Sequence, residues 1–183
     1  LATVVGSGGQ ENSMTMSEAQ ILVAELDNVV QIRVLGRATF KISQELRDYG
    51  LRVLRHGVSN VVIELSGCSG MDSTFMGVLA MIGLEGRQQA RLVIVNASKT
   101  IRHLLESIGI GRLCEFAAQP VKDVSWQSLC QAASGSIDPA NELSQTVLEA
   151  HQALMNMDPA NIPRFRDVVA ILANEIEEKK KKS

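Results

Sequence analysis

Hydrophobic and polar positions change their period several times along the chain, and each change marks an element. Residues 21–26 and 29–35 are β-rich runs on either side of Asp27-Asn28, which predicts a hairpin. In the second run Val30, Ile32 and Val34 alternate with Gln31 and Arg33, so one face is buried and the other polar, as expected near a sheet edge. From residue 40 to 56, Phe40, Leu46, Leu51 and Leu54 fall at helical spacing and Gly57 supplies a stop; Gly50 in the interior weakens the expectation of a straight helix. Residues 60–65 are almost wholly apolar, the pattern of a central strand buried on both faces.

A Gly/Ser-rich loop over residues 66–70 then leads through Met71-Asp72-Ser73-Thr74 into a helix carrying Phe75, Met76, Val78, Leu79, Met81, Ile82 and Leu84. Asp or Ser at its start is a good N-cap, because a short side-chain oxygen accepts an orphan N–H of the first turn. Residues 91–96 read as another buried strand. Residues 99–108 read as a helix with Ile101, Leu104, Leu105 and Ile108 on one face, closed by Gly109 and Gly111, and residues 112–116 as a last short strand. A hairpin followed by alternating helices and strands predicts an α/β fold, a mixed sheet covered by helices.

From about Pro120 the character changes. Asp138-Pro139 and Asn161-Ile162-Pro163 look like helix starts with Pro in the first turn, and Ile162, Phe165, Val169, Leu172 and Ile176 form an apolar stripe behind the second. The expected organisation is a disordered or cloning-derived N-terminus over 1–15, an α/β domain over 16–118, and a helical C-terminal extension over 119–183 without strands. Because the chain begins at Leu1 and continues through Gly6-Ser7-Gly8-Gly9-Gln10, Met14 or Met16 is the expected natural start.

Composition narrows the function classes. Aromatic residues make up 3% of the 183, so the core should be aliphatic and a platform for stacking bases is not expected. A net charge of −2 gives no general attraction to nucleic acid or anionic lipid. Cys68, Cys114 and Cys130 are odd in number and lack a C-x-x-C pair, which indicates neither a disulfide framework nor a zinc site and fits a reducing cytosol. No apolar run reaches the roughly 18–20 residues of a membrane span, so a cytoplasmic protein is expected.

Candidate chemistry is sparse. The loop over 67–74 lacks the Lys of a nucleotide-binding P-loop, and Met71 stands where a nucleophile elbow needs Gly. His56, His103 and His151 lie far apart with no carboxylate or Cys at metal-ligand spacing. Glu175, Glu177 and Glu178 followed by Lys179 to Lys182 fit an exposed helix end. No catalytic residue, cofactor or metal is therefore expected, and the protein is not expected to be an enzyme. The turn at Asp72, Ser73 and Thr74 follows a buried strand, where open α/β folds place their sites, and a helix N-terminus favours an added phosphoryl charge.

Across residues 21–118, the hairpin, Val61-Val62-Ile63-Glu64-Leu65, the turn Met71-Asp72-Ser73-Thr74-Phe75-Met76-Gly77 and Lys99-Thr100-Ile101-Arg102-His103-Leu104-Leu105 before Gly109-Ile110 resemble STAS domains, named for sulphate transporters and anti-sigma-factor antagonists. The family turn commonly reads Asp-Ser-Ser-Gly-Leu-Gly, with the second Ser phosphorylated by an anti-sigma kinase. The resemblance implies a sheet with helices on one side, Asp72 as the acidic residue, Ser73 and Thr74 as phosphorylation sites with Thr74 at the acceptor position, and Gly77 as the final Gly. Phe75 and Met76 depart from the usual Gly and Leu, enlarging the surface next to the hydroxyl. With Asp72, Ser73 and Thr74 they form the expected partner-binding surface, and Phe75 either packs into the core or serves as an exposed anchor. The implied function is an anti-sigma-factor-antagonist-like module that binds an anti-sigma factor or similar serine kinase in transcription regulation. The alternative is an unphosphorylated scaffold subunit that forms a homo-oligomer through the tail stripe at Phe165, Val169 and Leu172.

Overall fold

The hairpin forms where the pattern places it. In the computed structural model, which describes residues 19–118, 124–129 and 139–182, β1 (Gln20–Leu26) and β2 (Val29–Ala38) pair antiparallel around Asp27-Asn28. Asp27 takes φ 54°, the left-handed backbone that a tight turn between twisted strands requires and that Asp tolerates. The remaining strands are β3 (Asn60–Glu64), β4 (Cys68–Met71), β5 (Arg91–Val95), β6 (Glu115–Ala117) and β7 (Gln127–Ser128). The sheet runs β6-β5-β3-β2-β1-β7; β2, β3, β5 and β6 are mutually parallel and β1 is antiparallel to both neighbours.

Helices α1 (Ser43–Arg55), α2 (Ser73–Gly86) and α3 (Lys99–Ser107) share one aliphatic core with Ile21, Val23, Val30, Ile32, Val34, Val61, Ile63, Leu65, Leu92 and Ile94. Val62 and Val93, which point the other way, are half-buried, so β3 and β5 are less equally buried on their two faces than their apolar runs suggested. β2 lies inside the sheet rather than near an edge, and its alternation reflects the difference between the two faces.

Three expectations are corrected. Residues 68–70 of the expected 66–70 loop, together with Met71, form β4, which runs parallel to β2 from Gly36 to Ala38, beyond the point where β3 leaves off. The two-residue β7 lies in the segment expected to hold no strand, and it extends the β1 edge. The first helix begins at Ser43 behind a 3-10 turn (Phe40–Ile42), which leaves Phe40 42% exposed rather than on the buried face. Gly50 serves close packing: a Cβ there would lie 2.8 Å from Ile82 Cγ1 of α2.

The tail is a helical hairpin, α4 (Pro139–Met157) and α5 (Ile162–Lys182), joined by a 3-10 turn (Pro159–Asn161). α4 packs across α2 and α5 packs on α4. The corner is anchored by buried Asn161, whose Nδ2 donates to the carbonyls of Ile108 and Leu154, each at 2.9 Å, and by Arg112 and Asp158 at 3.1 Å. Arg47 Nε donates to Glu149 at 2.9 Å, tying α4 to α1. The stripe proposed for a homo-oligomer is engaged within the chain: Phe165 packs against the core, Val169 and Leu172 are half-buried, and Ile176 is buried. Residues 1–15, Cys130 and Asp138 lie outside the described residues.

On the sheet face away from the helices, Glu64 is 1% exposed and accepts from Arg33 Nε and the Ser66 amide, both at 2.9 Å. Burial works to raise its carboxyl pKa, but the Ser66 and Asn96 hydrogen bonds and the Arg33 charge together outweigh burial and hold it below the ordinary value. A depressed folded-state value contributes stability that is present above the unfolded value of about 4.3 and is lost as pH falls through the folded one. Glu64→Gln should therefore be less stable than wild type at pH 7. The gap in unfolding midpoint should narrow as melts are run at progressively lower pH.

Candidate functional site

The turn is built by one carboxylate. β4 ends at Met71 and Asp72 takes an extended backbone, from which Oδ1 accepts from the Phe75 amide of α2 at 2.9 Å and Oδ2 accepts from the Phe40 amide at 2.7 Å. The Asp72 amide itself donates to Ala38 at the end of β2 at 3.0 Å. A cap of this kind stabilises its helix by about 1 kcal/mol, and here the same side chain also fixes the 3-10 turn before α1.

Ser73, the first residue of α2, is partly exposed, and its Oγ lies 3.0 Å from Nε2 of His151 on α4. The other ring nitrogen, Nδ1, is 2.8 Å from the Val147 carbonyl, which can only accept. Nδ1 therefore carries a proton, and in the neutral tautomer with that proton Nε2 presents a lone pair to which the Ser73 hydroxyl donates. His151 is 4% exposed and meets the Phe165 ring edge-on at 5.2 Å between centroids.

The other expected site residues turn inward. Thr74 is 5% exposed, Met76 is 7% exposed and Phe75 is fully buried in the core. Of the two alternatives for Phe75, it takes the core one, and the aromatic side chain exposed beside the turn is Phe40. Asp72 and Ser73 remain at the surface. The inward face of α2 meets the sheet and its other face meets α4. Gly77, matched to the final Gly of the family turn, allows this approach: a Cβ there would lie 2.6 Å from the Ala150 carbonyl carbon and 2.7 Å from Ala150 Cβ.

His151, Phe40 and Ala150 are the contributors that the sequence pattern did not identify. His151 is 78 positions from Ser73, and no local spacing connects them.

Other chemistry is distant from the turn. His56 and His103 are exposed, and among the described residues no group of three His, Cys, Asp or Glu could hold a metal ion. Burial raises the Cys68 thiol above its ordinary value and pushes Cys114 up to about 11, which leaves both predominantly protonated at neutral pH. Cavities lined by Gly83, Arg87 and Leu113, by Asn96 and Arg102, and by Gln20, Glu45 and Leu129 all lie elsewhere. Among the described residues no helix is long and apolar enough to cross a membrane.

No curated protein matches the chain. Among solved structures, the chain is similar to the anti-sigma factor antagonist SpoIIAA in its unphosphorylated form, with 18% identity, a TM-score of 0.47, and coverage of 55% of this chain and 89% of that one. The phosphorylated form of SpoIIAA, described as a Bacillus cell fate determinant, has 18% identity and a TM-score of 0.46 over 54% of this chain and 92% of that one. The NMR structure of the protein TM1081 has 13% identity and a TM-score of 0.48 over 64% and 91%. The family model described as "Mlab, STAS domain" matches residues 21–115, just over half the chain and the whole span from the hairpin to the start of β6, and the chain belongs to the STAS domain family.

Proposed function

We propose that the chain is a non-catalytic regulatory module of the anti-sigma-factor-antagonist kind. It acts in the cytoplasm by binding a protein partner, an anti-sigma factor or similar serine kinase. The partner surface is the corner made by Asp72, Ser73 and Phe40, and phosphorylation in the turn switches it.

The observation that carries this reading is the double cap by Asp72. It ties the end of β4, the turn before α1 and the start of α2 into one fixed corner, with the Phe40 ring exposed and Ser73 partly exposed beside it. A preformed surface with one aromatic anchor and a modifiable hydroxyl suits switched protein recognition, because little must be ordered on binding. A phosphoryl group at this corner is favoured by the helix N-terminus and alters the surface a partner meets.

The test is affinity capture with the tagged full chain, comparing wild type, Phe40→Ala and Ser73→Asp. Thr74→Asp is the less clean mimic, since it places a carboxylate at a buried position. A partner recovered with wild type should be lost from both variants, with Phe40→Ala costing about 2 kcal/mol or roughly 30-fold in affinity. Equal recovery from all three, together with no phosphate at Ser73 or Thr74 in cells, would sink the proposal.

A further inference from the structure

Ser73 is the partly exposed hydroxyl residue of the turn, and its Oγ lies against a buried imidazole of the C-terminal hairpin. We propose that Ser73 is the phosphoacceptor of the turn, and that phosphate there releases the α4–α5 hairpin and uncovers α2. This rests on the reading of the turn as a regulated partner surface and names how that regulation works.

Access separates the two candidate hydroxyls. Thr74 is 5% exposed, whereas Ser73 sits at the solvent edge of the α2–α4 seam. Transfer forms the Oγ–P bond as the bond from the γ-phosphorus of a nucleoside triphosphate to its bridging oxygen breaks. The nucleoside diphosphate departs, and the hydroxyl proton passes to a base of the kinase.

The product cannot keep the present contact. The hydroxyl donor is gone, so in the tautomer with its proton on Nδ1, Nε2 is an acceptor facing ester and phosphoryl oxygens that also accept. Space is equally short. His151 is 4% exposed against Phe165, and one turn further along α2 the Gly77 backbone already meets Ala150 without room for a methyl group. α4 cannot yield locally there and must move as a body.

The restraints from α1, Arg47 to Glu149 and Gln44 to Glu142, lie at partly or fully exposed positions, where ion pairs and hydrogen bonds hold weakly. The strip of α2 from Ser73 through Gly77 would then accept a partner helix with a small side chain opposite Gly77, as α4 itself presents Ala150.

The experiment is amide hydrogen exchange on the full chain with phosphoserine incorporated at position 73 during translation, beside unmodified protein and Ser73→Ala. No partner is needed, so its outcome is separate from that of partner capture. Ser73→Ala loses one hydrogen bond and should speed exchange over residues 146–154 by about 5–10-fold. Phosphoserine should speed it by more than about 100-fold while β2 and β3 keep their protection. Unchanged exchange over 146–154 would overturn the proposal. So would slower exchange, which would mean that phosphate clamps a protonated His151 instead of expelling it.

Discussion

Phe75→Ala should cost about 3–5 kcal/mol of stability, the range for emptying a fully buried aromatic site. For a chain of this size that lowers the unfolding midpoint by roughly 6–20 °C, which a thermal melt followed by circular dichroism will read. The cost arises because Phe75 is fully buried and lies in one cluster with residues of the sheet, α1 and α3. Truncation leaves a void that close-packed aliphatic neighbours fill poorly. An exposed anchor would behave in the opposite way, leaving stability within about 0.5 kcal/mol while abolishing partner recovery. The same substitution therefore separates the two alternatives that the Phe75 departure from the family turn left open.

The second large effect is expected at the seam between α2 and α4. Gly77→Val should separate the hairpin from the STAS core. A Cβ at this position already falls 2.6 Å from the Ala150 carbonyl carbon, and the two methyl groups of Val have no path past the α4 backbone. Overpacking of this kind costs about 1–3 kcal/mol when the structure can shift, and here the nearest obstacle is main chain. Separation also removes Ala150, Leu154 and His151 from burial, and a side chain such as Leu154 loses about 1.5–3 kcal/mol on exposure. Limited proteolysis should show early cleavage within α4 with the STAS core persisting. Resistance equal to wild type would show that α4 does not bear on Gly77.

How much of this was legible in the sequence depends on whether the cause is local. The hairpin, β3, β5 and the helices follow from apolar period and turn residues, because each buries a regular face against the sheet. β4 was missed because Cys68-Ser69-Gly70-Met71 has no alternating apolar pattern; its pairing is set by the end of β2, a partner more than thirty positions away. β7 has two residues and no pattern of its own. Phe40 satisfied a helical spacing, but the Asp72 carboxylate captured its amide and fixed a 3-10 turn before the helix began.

The site divides in the same way. Asp72 as a candidate cap is readable from residue type and place. The burial of Thr74 and the seating of α4 depend on residues around position 150. One local signal did exist: α2 is apolar nearly all round, and a helix of that kind must be covered on both sides. The sheet supplies one cover, and the tail supplies the other.

The central claim is that the 72–77 turn of this STAS protein lies against the protein's own C-terminal hairpin. The most direct measurement is a nuclear Overhauser spectrum of the full chain, examined for transfer between the Gly77 α-protons and the Ala150 methyl group. A strong intramolecular cross-peak is predicted, because the two backbones meet at that point with no side chain between them. Its absence, in a sample whose chemical shifts show α2 and α4 both helical, would contradict the account.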